Sequence, residues 1–235
     1  MKISFGKSEE AWLGFEDYLI RNIRKYEVKS ICEIGGGANP VLNQIIIKKF
    51  NLDYSILDIS QEELEKVSDD YDKIKRDITS TNFNLNRKFD LIISKMLAEH
   101  ISDAKQFHKN TKTILKKNGL AIHFFPTLYS PPFLLNLLIP NDLSKILLNF
   151  FSPRNNFYYP KFPAYYQLCR GPIKSQLKIF KDFGYKIMEY KYFFGHGYYE
   201  KIRFLKIFQS LILKFLLKHP IPLFSSFSWL LLKKK

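Results

Sequence analysis

Three acidic residues, Glu33, Asp58 and Asp77, and one run of glycines, Gly35-Gly36-Gly37, have the types and spacing to do chemistry in this chain of 235 residues. A glycine turn between a strand and a helix lets backbone come close to a ligand, because no side chain intervenes. The turn lacks the full GxGxxG pattern, since Pro40 stands three residues after Gly37, and this disfavours a dinucleotide pyrophosphate on the helix N-terminus. No GK[ST] follows, so a P-loop is excluded. Each acid falls near the end of a predicted strand, so all three face one crevice. An acid ending the second strand can accept both hydroxyls of a ribose; one beside the turn can meet a cationic amino group; the third can sit near an adenine amine. Such a crevice suits a cationic sulfonium ligand better than a phosphate. For Asp58 alone, a helix N-cap or a solvated loop acid is an equal reading.

For proton transfer the candidates are His100, His123 and His196, because a histidine near its ordinary pKa takes a proton from a hydroxyl at neutral pH. His100 also reads as a residue packing on the following helix, and His123, inside a strand, as one facing helices. His196, between Gly195 and Gly197, reads as an exposed loop residue near a substrate. Tyr158, Tyr165, Tyr166 and Arg170 are candidates for the acceptor side, the aromatics stacking on a sugar, ring or isoprenoid and the guanidinium meeting an anion. Local aromatic burial is the plainer reading of the tyrosines. Cys32 and Cys169 are far apart with no CxxC or Cys/His neighbour, so no metal site is expected and both thiols are read as reduced.

The elements that must position these residues alternate. An amphipathic helix is expected over 1–27, with Trp12, Phe15, Leu19 and Ile23 near helical spacing. A core over 28–125 follows as strand, glycine turn, helix, a strand ending at Asp58, a helix, a short strand ending at Asp77, a strand at 89–95, a helix and a strand at 119–125. That alternation predicts an α/β fold with a mostly parallel sheet of seven strands and helices on both faces. Residues 126–172 carry most of the eleven prolines together with the tyrosine clusters, and read as a cap inserted after strand five. Residues 173–235 complete the sheet and add an amphipathic helix near 200–218.

Composition bounds the class. Hydrophobic residues at 46% and charged residues at 25% describe a chain that folds. The formal charge of +15 would steer it to nucleic acid, an anionic membrane or a phosphorylated substrate. Lysine bias explains the charge equally well, since only 7 of the 37 basic residues are Arg. The N-terminus lacks the apolar core of a signal peptide, and the apolar stretch at 202–231 is interrupted too often for a bilayer span, so the expectation is a cytoplasmic protein. The helix near 200–218, apolar on one side and fringed by Lys201, Lys206, Lys214 and Lys218, also suits peripheral docking at a membrane.

On these motifs the chain resembles the class I S-adenosylmethionine-dependent methyltransferases, in the small-molecule, type 11/23-like group. Ile31-Cys32-Glu33-Ile34-Gly35-Gly36-Gly37 corresponds to that family's first motif, and Phe89 through Ile101 to its fourth-strand motif. Leu115 to Leu120 corresponds to its approach to strand five. The resemblance implies a Rossmann-like fold, S-adenosylmethionine as cofactor, and a cofactor site of Glu33, Gly35, Gly36, Gly37, Asp58, Ile59, Asp77, Ile78 and Ser94. It implies methyl transfer to an O or N atom of a small-molecule, glycan or lipid-linked acceptor. The fourth strand ends in Ser94-Lys95-Met96-Leu97 and lacks the Asn/Asp-Pro-Pro-aromatic motif of enzymes that methylate amino groups of nucleic-acid bases. RNA methylation through the basic surface, or a non-catalytic binding module, are the alternatives.

Overall fold

A computed structural model describes residues 1–139 and 162–235. Their strands are β1 (Lys2–Lys7), β2 (Ser30–Ile34), β3 (Asp53–Asp58), β4 (Asp72–Lys75), β5 (Phe89–Lys95), β6 (Leu115–Pro126), β7 (Tyr185–Phe194) and β8 (Phe227–Lys234). They form one sheet in the order β1-β7-β8-β6-β5-β2-β3-β4. β8 alone runs antiparallel to its neighbours β6 and β7, and every other pairing is parallel. The order reverses between β2 and β5, which opens a crevice beyond their carboxyl ends, the place where such sheets bind ligands.

The sheet has one strand more than the seven expected from sequence. β1 pairs in parallel with β7, Lys2 beside Glu189 through Lys7 beside Phe194. Its six residues are too few to announce a strand by alternation, and the pairing joins the two ends of the chain. Helices α1 (Ser8–Leu13) and α2 (Phe15–Lys25) follow it.

β2 and nearly all of β5 are buried, as expected for central parallel strands covered on both faces. α1 and α2 cover one face, with Phe15 and Tyr18 against Trp229 of β8. On the other, His108 of α5 (Ala104–Thr113) packs against His123 of β6 and against Phe180 of α7 (Lys174–Asp182). Helices on the crevice side start on side-chain caps. Asn43 accepts from the Ile46 amide (3.0 Å) to begin α3 (Gln44–Phe50), and Ser60 accepts from the Glu63 amide (3.2 Å) to begin α4 (Gln61–Glu65). At the opposite edge, Asp90 accepts from the amides of Lys29 and Ser30 and from the Ser30 hydroxyl, and pairs with Lys116. This staple sets β5 against β2. The chain then continues through α6 (Pro131–Leu138), α7 and α8 (Arg203–Lys218).

Candidate active site

The glycine turn leaves β2 and lies against the ends of both neighbouring strands. The Gly35 amide donates to the Leu57 carbonyl of β3 (2.8 Å). A β-carbon at Gly35 would lie 2.7 Å from Leu97 Cδ1, beyond the end of β5, so the turn fills the gap at the switch point. Gly35 and Gly37 have φ of 72° and 33°, the left-handed region that favours glycine. Residues 38–43 extend the turn before α3 starts at Gln44, later than the helix over 40–50 that periodicity suggests.

Glu33 shapes this loop. Its carboxylate is buried, accepts from the Val41 amide through both oxygens (3.2 and 2.9 Å), and accepts a short hydrogen bond from the Tyr54 hydroxyl. Burial pushes its carboxyl up to about 7, against the lowering effect of those donors. A β-carbon at Gly36 would sit 2.8 Å from the Glu33 carboxyl carbon. Both oxygens of Glu33 are thus engaged by the loop backbone, and one also by Tyr54, which leaves further lone pairs of the carboxylate for a donor. Tyr54 of β3, to which the sequence alone assigns no role, is the second half of this clamp.

Asp58 sits half-buried at the end of β3, where burial raises its pKa, with Oδ1 accepting from the Ser60 amide (2.9 Å). A β-carbon at Gly37 would lie 3.1 Å from Asp58 Oδ2, so glycine there leaves the carboxylate room for a ligand. Ile59 beside it is 64% exposed, an apolar side chain held in water at the rim of the crevice. Asp77 follows β4 and accepts from the Thr79 amide (2.7 Å) and hydroxyl (2.6 Å), which folds the chain back after the strand. It lies on a polar surface cleft of about 660 Å³ that includes Arg76, Ser80 and Asn82. Ile78 is buried, its carbonyl held by Asn110 of α5. The glycine turn, Asp58 and Ile59 thus share one rim of the crevice, with Asp77 next along the sheet edge.

Ser94 is fully buried, and its hydroxyl is 2.8 Å from His123 Nδ1 beneath α5. That hydroxyl does not line the crevice. Burial lowers His123 to about 4, so the ring is neutral, and it faces the helices as alternation along β6 suggested.

On the acceptor side, the 3-10 turn Ala98–His100 follows β5 and is stitched to residues 163–167. The carbonyl of Glu99 accepts from the amides of Tyr165 (2.7 Å) and Tyr166 (3.0 Å). His100 Nδ1 is 2.6 Å from the Pro163 carbonyl, and Gln167 reaches the Ser102 carbonyl (2.6 Å). A carbonyl only accepts, so His100 Nδ1 donates to it, which orients the ring with Nε2 3.7 Å from Glu99 Oε1. Glu99, which sequence reading left unassigned, is buried with Oε2 unpartnered, and burial pushes its carboxyl up to about 8. Tyr165 is half exposed near this turn, whereas Tyr166 is buried against Phe133. Arg170 is exposed. Tyr158 lies outside the described residues.

Trp12 of α1 closes the arrangement. Its ring meets Phe124 and Phe227 edge-on, and Lys95 Nζ lies 5.7 Å from its centroid. His196 stands on the same sheet edge but after β7, three strands from β5, packed on Tyr199. It is buried, which lowers it to about 4, and its Nδ1 has no partner. His100 follows β5 and His196 follows β7, three strands apart in the sheet or about 14 Å at the usual strand spacing.

Among the described residues no cluster of His, Cys, Asp or Glu suits a metal ion, and no helix is long and apolar enough to cross a membrane.

A family model described as "Methyltransferase domain" matches residues 15–167, about two-thirds of the chain. No curated protein matches. Among solved structures, an S-adenosylmethionine-dependent methyltransferase from Clostridium acetobutylicum superposes with a TM-score of 0.57 at 15% identity, covering 96% of this chain and 91% of that one. A SAM-dependent methyltransferase from Archaeoglobus fulgidus gives 0.54 at 15%, covering 96% and 97%. The plantazolicin methyltransferase BpumL, solved with a triazolic desmethylPZN analog and SAH, also gives 0.54 at 15%, covering 96% and 84%.

Proposed function

The chain belongs to the methyltransferase-domain family and is a class I S-adenosylmethionine-dependent methyltransferase, and on that premise we propose that it methylates an O or N atom of a small-molecule, glycan or lipid-linked acceptor. The cofactor supplies an electrophilic methyl group on a sulfonium. In this reading Asp58 accepts from the ribose hydroxyls, Ile59 packs on the adenine face, and Asp77 sits on the adenine side. The glycine turn admits the methionine end beside β2, with Glu33 holding the loop in shape. The observation that carries the reading is the rim made by Gly37, Asp58 and exposed Ile59 at the switch point of the sheet.

Proton removal falls to His100. The hydrogen bond from Nδ1 to the Pro163 carbonyl orients its ring, and the segment that makes this bond also carries Tyr165. Of the cap read over 126–172, residues 140–161 lie outside the described residues; the described segment 162–172 borders the turn after β5 and leaves Arg170 available to an anionic group on the acceptor. Buried free thiols at Cys32 and Cys169 suit a reducing, cytoplasmic setting. The acceptor class is supported by the small-molecule methyltransferase among the similar folds.

The test joins calorimetric titration of S-adenosylmethionine with labelled-methyl transfer into fractionated cell extract. Asp58→Ala should weaken cofactor binding by about 10- to 100-fold, the worth of a hydrogen-bonded charge. His100→Gln should keep that affinity and lower kcat by about 10²-fold or more. Undiminished cofactor binding in Asp58→Ala would refute the site; label appearing only in RNA or protein would refute the acceptor class.

A further inference from the structure

One surface plays no part in this reading. α8 rests on β7 through Leu213, Leu216 and Leu217, which pack on Tyr192 and Phe194, and Gln209 donates to the His196 carbonyl. Anchored on that side, it turns Phe204, Ile207, Phe208, Leu211, Ile212 and Phe215 to solvent, Phe204 at 70% and Phe208 at 61% exposure. At about 100° per residue these six fall in one stripe along the helix. Arg203, Lys214 and Lys218 line one margin of it. Sixteen residues make a rod of about 24 Å, sufficient to lie in a membrane interface and too short to span it.

We infer that α8 is an in-plane anchor that docks the enzyme on an anionic lipid surface. Charge selects the occupant. Residues 200–219 hold five cations, Lys201, Arg203, Lys206, Lys214 and Lys218, against the single acid Glu200, so the helix that carries the apolar stripe is net cationic. An anionic bilayer satisfies both features, through apolar burial and attraction of the lysines. A second copy placed on the same stripe would bring two cationic borders together, which is unfavourable. Position agrees with the chemistry. The register sets Phe194, Phe227 and Pro126 along one edge of the sheet, so the connection carrying α8 leaves and rejoins the sheet at the carboxyl edge where the crevice lies. Exposed Phe224, just before β8, extends the apolar surface along that edge. A docked α8 therefore keeps the acceptor side of the enzyme next to the lipid headgroups.

The test is flotation of the full chain with vesicles of phosphatidylcholine alone and with about one-third phosphatidylglycerol, at low and high salt. The wild type should float with the anionic vesicles at low salt, detach as salt rises, and ignore the neutral ones. Phe208→Asp with Leu211→Asp should lower anionic-vesicle binding by more than about tenfold. Lys214→Gln and Lys218→Gln should each lower it by about fivefold. These positions are exposed, so unchanged circular dichroism and thermal midpoint will show that the variants fold, whether or not the cofactor reading holds. Absence of flotation at low salt overturns the proposal, as does flotation unaffected by the aspartate pair. A lipid-free dimer that the aspartate pair dissociates would assign the face to a second copy and likewise overturn it.

Discussion

A carboxylate at the end of β2 can serve a ligand, the loop or both, and Glu33 holds the loop. Both of its oxygens are engaged by the Val41 amide, and one also by the Tyr54 hydroxyl, in a space that Gly36 keeps open. Removing the hydroxyl leaves a buried acid short of a donor, which costs about 1–3 kcal/mol. Tyr54→Phe should therefore lower stability to urea by that amount and weaken cofactor binding through the loop, with no ligand contact changed. Equal stability and affinity in the two proteins would show that the clamp is idle. The same logic separates the histidines. Burial keeps His123 and His196 neutral in packed surroundings, whereas His100 is oriented by a backbone carbonyl on the cap segment.

At the scale of elements, the crevice depends on where α3 begins. The loop from Gly35 to Leu42 is free to follow its own path because Asn43 stops it, by accepting from the third amide of the helix, that of Ile46. Asn43→Ala should cost about 1 kcal/mol in thermal or chemical denaturation, as N-cap losses do. On the far edge, Asp90 joins β2 to β5 and binds Lys116, so it sets the register that brings Leu97 over Gly35. Because Asp90 is partly exposed, Asp90→Ala should cost about 2 kcal/mol and not abolish folding. If amide exchange in β2 were unaltered by that change, the staple would have no role in holding the strand.

For the molecule as a whole, buried ionisable groups make stability depend on pH. Burial raises Glu99 from 4.5 to about 8 and Glu33 to about 7, so the folded chain keeps protons that the unfolded chain releases. Their effect is absent below about pH 4.5, and stability falls as pH rises through the window to about 8. Buried His123, lowered from 6.5 to about 4, acts oppositely: stability falls as pH drops through that range. From pH 7 to 8 the Glu99 contribution is the larger, at about 1 kcal/mol, and Glu33 adds about a third as much. The thermal midpoint should decline from about pH 7 to 8 in the wild type and decline much less in Glu99→Gln, where only Glu33 still titrates. A parallel decline in both would show that Glu99 is not the group responsible.

What the chain encodes locally was legible before any fold was drawn. The period of its apolar residues, the glycine turn and the acids after successive strands are each written within a few residues, so they indicate an α/β sheet and the methyl-donor crevice. Asp58 ends β3, as the strand pattern indicated. The rest was settled by contacts between distant segments. Pairing of β1 with β7 joins Lys2 to Glu189, and six residues carry no periodic signal strong enough to announce it. Ser94 turns to His123, and His100 is held by Pro163, across 29 and 63 residues. A side chain's partner, and so its orientation and protonation, depends on what the fold packs against it. The exposed stripe of α8 follows the same rule: an amphipathic pattern marks two faces, and only the packing on β7 decided which one was left to solvent.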